Sequence, residues 1–169
     1  MKGMLGVIFC LGFALVANAE QKLKVIDLGS EAPVSAEAAE RGRKYMEAQE
    51  AAARITPDEA LEFISRLKAV MEDGHQLTIS GSMDAKAQRN HAIALNKLST
   101  EGDRFGGPLA PFKSCGNAAS DAAFSWQGMI GRNQDQFGEY FTKYVAASNE
   151  CVQAAHRQTR LNLIEDQNY

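Results

Sequence analysis

The chain has 169 residues, 18 basic and 21 acidic, for a formal net charge of −3, and 45% of it is apolar but only 8% aromatic. That composition predicts one soluble globular domain. A slightly acidic balance with no long Lys/Arg block excludes the electrostatic footprint of a nucleic-acid or anionic-membrane surface.

Lys2 is followed by an uncharged stretch from residue 4 to residue 17 that includes Leu5, Val7, Ile8, Phe9, Leu11, Phe13, Leu15 and Val16. Ala17-Asn18-Ala19 then supplies small residues at the two positions read by signal peptidase. The pattern predicts a cleaved signal peptide over residues 1–19, export to the periplasm, and Glu20 as the first mature residue. The apolar run is shorter than the roughly 20 residues of a spanning helix, so no stable membrane insertion is expected after cleavage. Phe9 is too bulky for lipoprotein processing at Cys10, which is expected to leave with the leader. The leader carries one charge, Lys2, so residues 20–169 keep 17 basic and 21 acidic residues and two cysteines. A chain of that length can bury one adequate core as a single helical domain.

Lys22 to Leu28 has strand-like residues, as does Leu77-Thr78-Ile79-Ser80, and the two are read as a minor two-stranded ribbon, or the first as an arm. Between them, Ser35 to Arg54 is helical in composition but offers an apolar side of only Ala38, Tyr45, Met46 and Ala52. Glu37 with Arg41, Glu40 with Lys44 and Glu50 with Arg54 stand at i to i+4, a spacing that supports a solvated helix by about 0.2–0.5 kcal/mol per pair. This weak face is either a thin peripheral contact or a partner-binding surface.

Thr56-Pro57-Asp58-Glu59 combines a capping Thr, Pro at the first helical position and a Glu that completes a capping box. The helix is expected to reach Asp73 and stop at Gly74, burying Leu61, Ile64, Leu67, Val70 and Met71 with help from Phe63. A further helix is expected after Ser82, capped by Ser82 and Asp84, running to Leu98 with Met83, Ala87, His91, Ala94, Leu95 and Leu98 inward and Gly102 just beyond its end.

Arg104 to Lys113 cannot be helical, because Gly106-Gly107, Pro108 and Pro111 interrupt it, yet it carries Phe105, Leu109 and Phe112. These apolar residues either fold over the bundle end or form a rigid recognition loop.

Cys115, Ala119, Ala122, Trp126 and Met129 then share one helix face, which Gly131 ends. Asn133 caps a second helix, with Gln136 three residues on, whose stripe is Phe137, Phe141, Tyr144, Ser148, Cys151 and Ala155. The pair forms an αα-hairpin in which residues equidistant from the turn lie level. Cys115 and Cys151 are each 18 positions from Asn133, or about 27 Å along each helix. A disulfide between them is therefore expected at the open end, as an oxidising compartment favours. The same rule sets Met129 against Phe137, Trp126 against Tyr140 and Ala122 against Tyr144.

No catalytic motif is found. Ser65-Arg66-Leu67-Lys68 has the spacing of a Ser-x-x-Lys pair, but it lies inside a helix with no Lys-Thr-Gly following, and no Gly-x-Ser-x-Gly occurs. His75, His91 and His156 never fall at i, i+3 or i+4, and Cys-x-x-Cys-His is absent, which excludes covalent c-type haem.

The expected fold is all-α, a bundle of four to five helices with a disulfide-stapled C-terminal αα-hairpin. The first functional expectation is a non-enzymatic periplasmic protein that binds another protein, as an inhibitor or immunity factor for an enzyme or toxin acting there. Its binding candidates are Phe105, Pro108, Leu109, Pro111, Phe112, Arg41 and Tyr45, with no cofactor or metal assigned, no nucleic-acid partner, and homodimerisation through the first helix left open. The alternative is a carrier of haem, metal or a small hydrophobic ligand, with His91, His156 and Met83 converging in the bundle. A third reading is an enzyme whose carboxylates, among Glu59, Glu62, Asp121 and Glu139, meet only in three dimensions.

Overall fold

Four helix starts are closed by a side chain of their own, and the one that follows Phe112 is not. Ser35 accepts a hydrogen bond from the Ala38 backbone N–H, Asp84 from that of Ala87 and Asn133 from that of Gln136. Thr56 and Glu59 exchange hydrogen bonds with each other's backbone in a complete capping box, with Pro57 in the first turn. These contacts satisfy amide groups that the first turn of a helix leaves without partners, each cap contributing about 1 kcal/mol. The computed structural model describes residues 35–166, and the side chains to residue 164. The leader and the strand-like segment at residues 22–28 lie outside the described residues.

Five α-helices follow in order: α1 Ala36–Ala53, α2 Pro57–Ile79, α3 Ala85–Gly102, α4 Lys113–Ile130 and α5 Gln134–Asp166, with a single 3-10 turn at Asp103–Phe105. Among the described residues there is no strand. The fold is all-α.

Two sequence expectations fail at one place. Gly74 does not stop α2, which continues to Ile79, so Leu77 to Ser80 is helix and helix cap rather than ribbon. Gly74 is buried and packs against the imidazole of His91, where a Cβ would stand 2.5 Å from Nε2. The glycine therefore serves a close approach between helices and its helix-breaking tendency, about 1 kcal/mol, is overridden by packing. Gly102 likewise ends inside α3 instead of beyond it, because its backbone meets Gly116 of α4. A Cβ on Gly116 would lie 2.6 Å from the Gly102 carbonyl oxygen.

The inner face of α4 is mostly small, with Ala118, Ala119, Ala122 and Ala123 buried. Small side chains let neighbouring helix axes draw together. The larger core residues come from around it: Phe63, Ile64 and Leu67 of α2, Leu95 and Leu98 of α3, and Tyr144 of α5.

Cys115 and Cys151 are disulfide-bonded, their Cα atoms 4.9 Å apart and both side chains fully buried. The hairpin register is as the spacing predicts, although one pairing differs. Tyr140 packs on Phe124 with the rings tilted and their centroids 5.0 Å apart, while Trp126 turns inward against His91. Equal distance from the turn fixes the height of two residues. The 100° rotation per residue fixes which way each one faces.

Between the 3-10 turn, which takes in Arg104 and Phe105, and α4, which begins at Lys113, residues 106–112 are non-helical. Phe105 and Phe112 are each 1% exposed, and Phe105 packs on Phe63 with centroids 4.7 Å apart. Leu109 is 91% exposed. The only buried residue of α1 is Ala52, which lies against Gly106, where a Cβ would stand 2.6 Å from the Ala52 Cβ. The rest of α1 is solvated and carries the expected pairs, Arg41 with Glu37 at 2.9 Å and Lys44 with Glu40 at 3.6 Å.

Candidate functional site

α2, α3, α4 and α5 line a half-open cavity of about 540 Å³ at the turn end of the hairpin, opposite the disulfide. That is the size range of small-molecule sites. Its wall is largely apolar and aromatic: Met71 from α2, Trp126 and Met129 from α4, and Phe137, Phe141 and Tyr144 from α5. Exposed Lys68, Glu72, His75 and Thr78 form a polar rim along α2.

Helical spacing explains the wall. Trp126 and Met129 are three residues apart on α4, while Phe137, Phe141 and Tyr144 follow at four and three on α5, so each set shares one face. At the turn, Gly128 lets α5 come in to its own backbone, where a Cβ would lie 2.6 Å from the Phe137 nitrogen. The α2 side depends on Gly74. Without a side chain there, the imidazole of His91 fits between α2 and the indole of Trp126, whose ring centroid is 4.1 Å away.

Two polar atoms in this wall have no hydrogen-bond partner in the protein, Nε2 of His91 and Nε1 of Trp126. The residues are 6% and 5% exposed. An unpartnered buried polar group costs about 1–3 kcal/mol, and both atoms are closed off by the packing around them, so the helix packing offsets that cost. Burial pushes the His91 imidazole below the usual histidine range, partly opposed by the charge of Asp73, and so favours its neutral form. Burial also raises the Tyr144 hydroxyl, keeping it protonated. The remaining hydroxyls are engaged: Ser125 donates to the Ala122 carbonyl and Thr78 to that of Gly74.

The other candidates are dispersed. His91, His156 and Met83 do not converge, since His156 is exposed on α5 in a separate shallow depression with Gln153, Arg157 and Arg160. Among the described residues no three His, Cys, Asp or Glu side chains are grouped to hold a metal ion. Glu59 is engaged by the Thr56 cap, which holds its carboxyl below the usual range. Glu62 and Glu139 pair with Arg66 and Lys143 along their own helices. Asp121, raised by burial, lies near Lys143 in another depression. None of these four carboxylates lines the main cavity.

Of the partner-binding candidates, Phe105 and Phe112 are core residues and present no surface. Pro108, Leu109, Pro111, Arg41 and Tyr45 are exposed. Sequence reasoning placed His91 and Trp126 inward but did not bring them together, and it missed the part of Gly74, Met71 and His75. The usable signal was the α2 stripe, which runs from Met71 through Gly74 to Thr78 at steps of three and four.

No protein-family model, curated protein or solved structure matches the chain. No helix among the described residues is long and apolar enough to cross a membrane.

Proposed function

We propose that this protein is an exported, non-enzymatic helical bundle that binds a small, largely apolar ligand between α2, α3, α4 and α5. The observation that carries the reading is the cavity itself, walled by Met71, Trp126, Met129, Phe137, Phe141 and Tyr144 and rimmed by the polar side chains of Lys68, Glu72, His75 and Thr78. An apolar cavity with a few convergent polar atoms is the usual form of a small-molecule site, the apolar area giving affinity and the polar atoms giving orientation. The scattered carboxylates and the sequestered Ser125 hydroxyl supply no nucleophile with an adjacent base. Export rests on the Ala17-Asn18-Ala19 cleavage pattern, and a mature chain that begins at Glu20 is the expected result of amino-terminal sequencing.

Trp126 is the only tryptophan of the chain and lies in the cavity wall, so its emission reports occupancy. Titration with 1-anilinonaphthalene-8-sulfonate is expected to quench it saturably at one molecule per chain. Emission that falls only linearly, without saturation, would refute the reading.

A second reading, capture of a partner protein in the periplasm, draws on a different surface. α1 buries only Ala52 and leaves Tyr45 and Met46 more than half exposed, and Leu109 stands out from the loop. It is tested by pull-down from host periplasm with the wild type and with Arg41→Glu/Tyr45→Ala, where a partner retained equally by both would remove α1 from the account.

A further inference from the structure

Resting on the small-ligand reading, we infer that the ligand is an amphipathic anion whose apolar body fills the cavity and whose carboxylate or sulfonate stays at the mouth, paired with the ammonium of Lys68.

The depth of the cavity turns a charged group away. Nε2 of His91 and Nε1 of Trp126 are sealed by the packing around them, and the Ser125 hydroxyl donates to the Ala122 carbonyl. Burial favours the neutral imidazole of His91 and keeps the Tyr144 hydroxyl protonated. A charge carried inside would therefore meet no counter-charge, and an unpaired buried ion is strongly disfavoured. The part of the ligand that enters is apolar and lies against the thioethers of Met71 and Met129 and the rings of α4 and α5.

The mouth has charge on one side only. Lys68, Glu72 and His75 stand at i, i+4 and i+7 of α2 and so share a face, whereas α5 lines the cavity with aromatic side chains alone. The two charges on α2 are not equally free. The Glu72 carboxylate accepts a hydrogen bond of 2.6 Å from Gln76 Nε2. The Lys68 ammonium has no hydrogen-bond or ion-pair partner among the described residues, although Glu72 is one turn away. Other cations on α2 and α5 are committed, Arg66 to Glu101 and Lys143 to Glu139. Lys68 is thus an unpaired cation at the lip of an apolar cavity, with a stem that can follow apolar surface while its head stays in water. An anionic head placed beside it keeps part of its own hydration and gains an opposite charge. A cationic head would meet Lys68 as a like charge and would have to compete with Gln76 for Glu72.

The test uses isothermal titration calorimetry with three probes that share one fused ring, a body suited to offset and edge-to-face contact with an aromatic wall. They are 2-naphthoate, neutral 2-naphthamide and 2-naphthylmethylammonium. At low ionic strength the wild type is expected to bind the naphthoate about 2- to 5-fold more tightly than the amide, the range of an exposed ion pair, and to bind the ammonium most weakly. Salt at about 0.5 M should bring the naphthoate close to the amide and leave the amide unchanged. Lys68→Met keeps an unbranched apolar stem without the charge and should erase the preference at unaltered amide affinity; Lys68→Glu should place the ammonium first. Position 68 is exposed, and circular dichroism verifies the fold of both variants. Naphthoate binding no tighter than the amide in the wild type, tightest binding of the ammonium, or a naphthoate preference that survives in Lys68→Met would overturn the anion inference and leave the small-ligand reading standing. Binding of none of the three would overturn both.

Discussion

Replacing both cysteines by alanine (Cys115→Ala/Cys151→Ala) removes a crosslink that spans 36 positions and ties the start of α4 to the middle of α5. In the chain-entropy treatment a loop of that length restricts the unfolded chain by about 4 kcal/mol of stability at 25 °C. Both sulfurs are fully buried, so their loss removes core contacts as well, on the order of 1 kcal/mol in total. The fold itself has other support at that end, because Ala118, Ala119 and Ala155 remain packed around the site. The double variant is therefore expected to fold with wild-type helical circular dichroism, to lose about 4–5 kcal/mol in urea unfolding, and to melt roughly 12–20 °C lower. Because the bridge is remote from the cavity, its ligand affinity should change little at temperatures where it is folded. A loss below about 1 kcal/mol would refute the reasoning, since it would mean that the unfolded chain gains almost no freedom when the bridge is absent.

Three further outcomes follow from particular side chains. His91 is held below the usual histidine pKa by burial, so the unfolded chain takes up its proton first as pH falls. Stability should be complete above about pH 6.5 and decline as pH drops through that value toward the lower folded pKa, and His91→Leu should flatten this part of the wild-type curve in urea melts at stepped pH. Gly74→Ala places a Cβ 2.5 Å from His91 Nε2; despite a helix-propensity gain of about 1 kcal/mol it should destabilise by a net 1–2 kcal/mol or so and shift the Trp126 emission maximum. Arg132 holds a left-handed backbone at φ 55° in the turn between α4 and α5, so Arg132→Gly should raise the urea midpoint by the equivalent of about 0.5–1 kcal/mol, with a lowered midpoint counting against the turn geometry.

The helices were legible where the sequence carries its own local chemistry. Thr56 with Glu59, Asn133 with Gln136 and the symmetric placement of Cys115 and Cys151 about the turn need no long-range information, and the structure contains each of them. Glycine was the residue most easily misread. Gly74 and Gly102 have the look of helix stops, but each lies where another segment comes too close for a Cβ, and that neighbour is 17 residues away for Gly74 and 14 for Gly102. The contact between His91 and Trp126 was illegible for the same reason. Periodicity says which face of a helix turns inward, whereas the contact between those two rings depends on how α3 crosses α4 and on the space that Gly74 leaves. The loop aromatics show the complementary limit: Phe105 and Phe112 look alike to Leu109 in sequence, but the turns of the segment direct two of them into the core and the third to solvent.

The central claim is that a small apolar ligand occupies the cavity walled by Trp126. As the chain has one tryptophan, a proton–nitrogen correlation spectrum of the labelled protein contains one indole Nε1–H resonance. Addition of 1-anilinonaphthalene-8-sulfonate is expected to move that resonance saturably at one molecule per chain, as the aromatic ligand packs beside the indole ring in the cavity wall. An indole resonance that stays in place while the backbone signals of α1 or of the exposed end of α5 move instead would contradict the account.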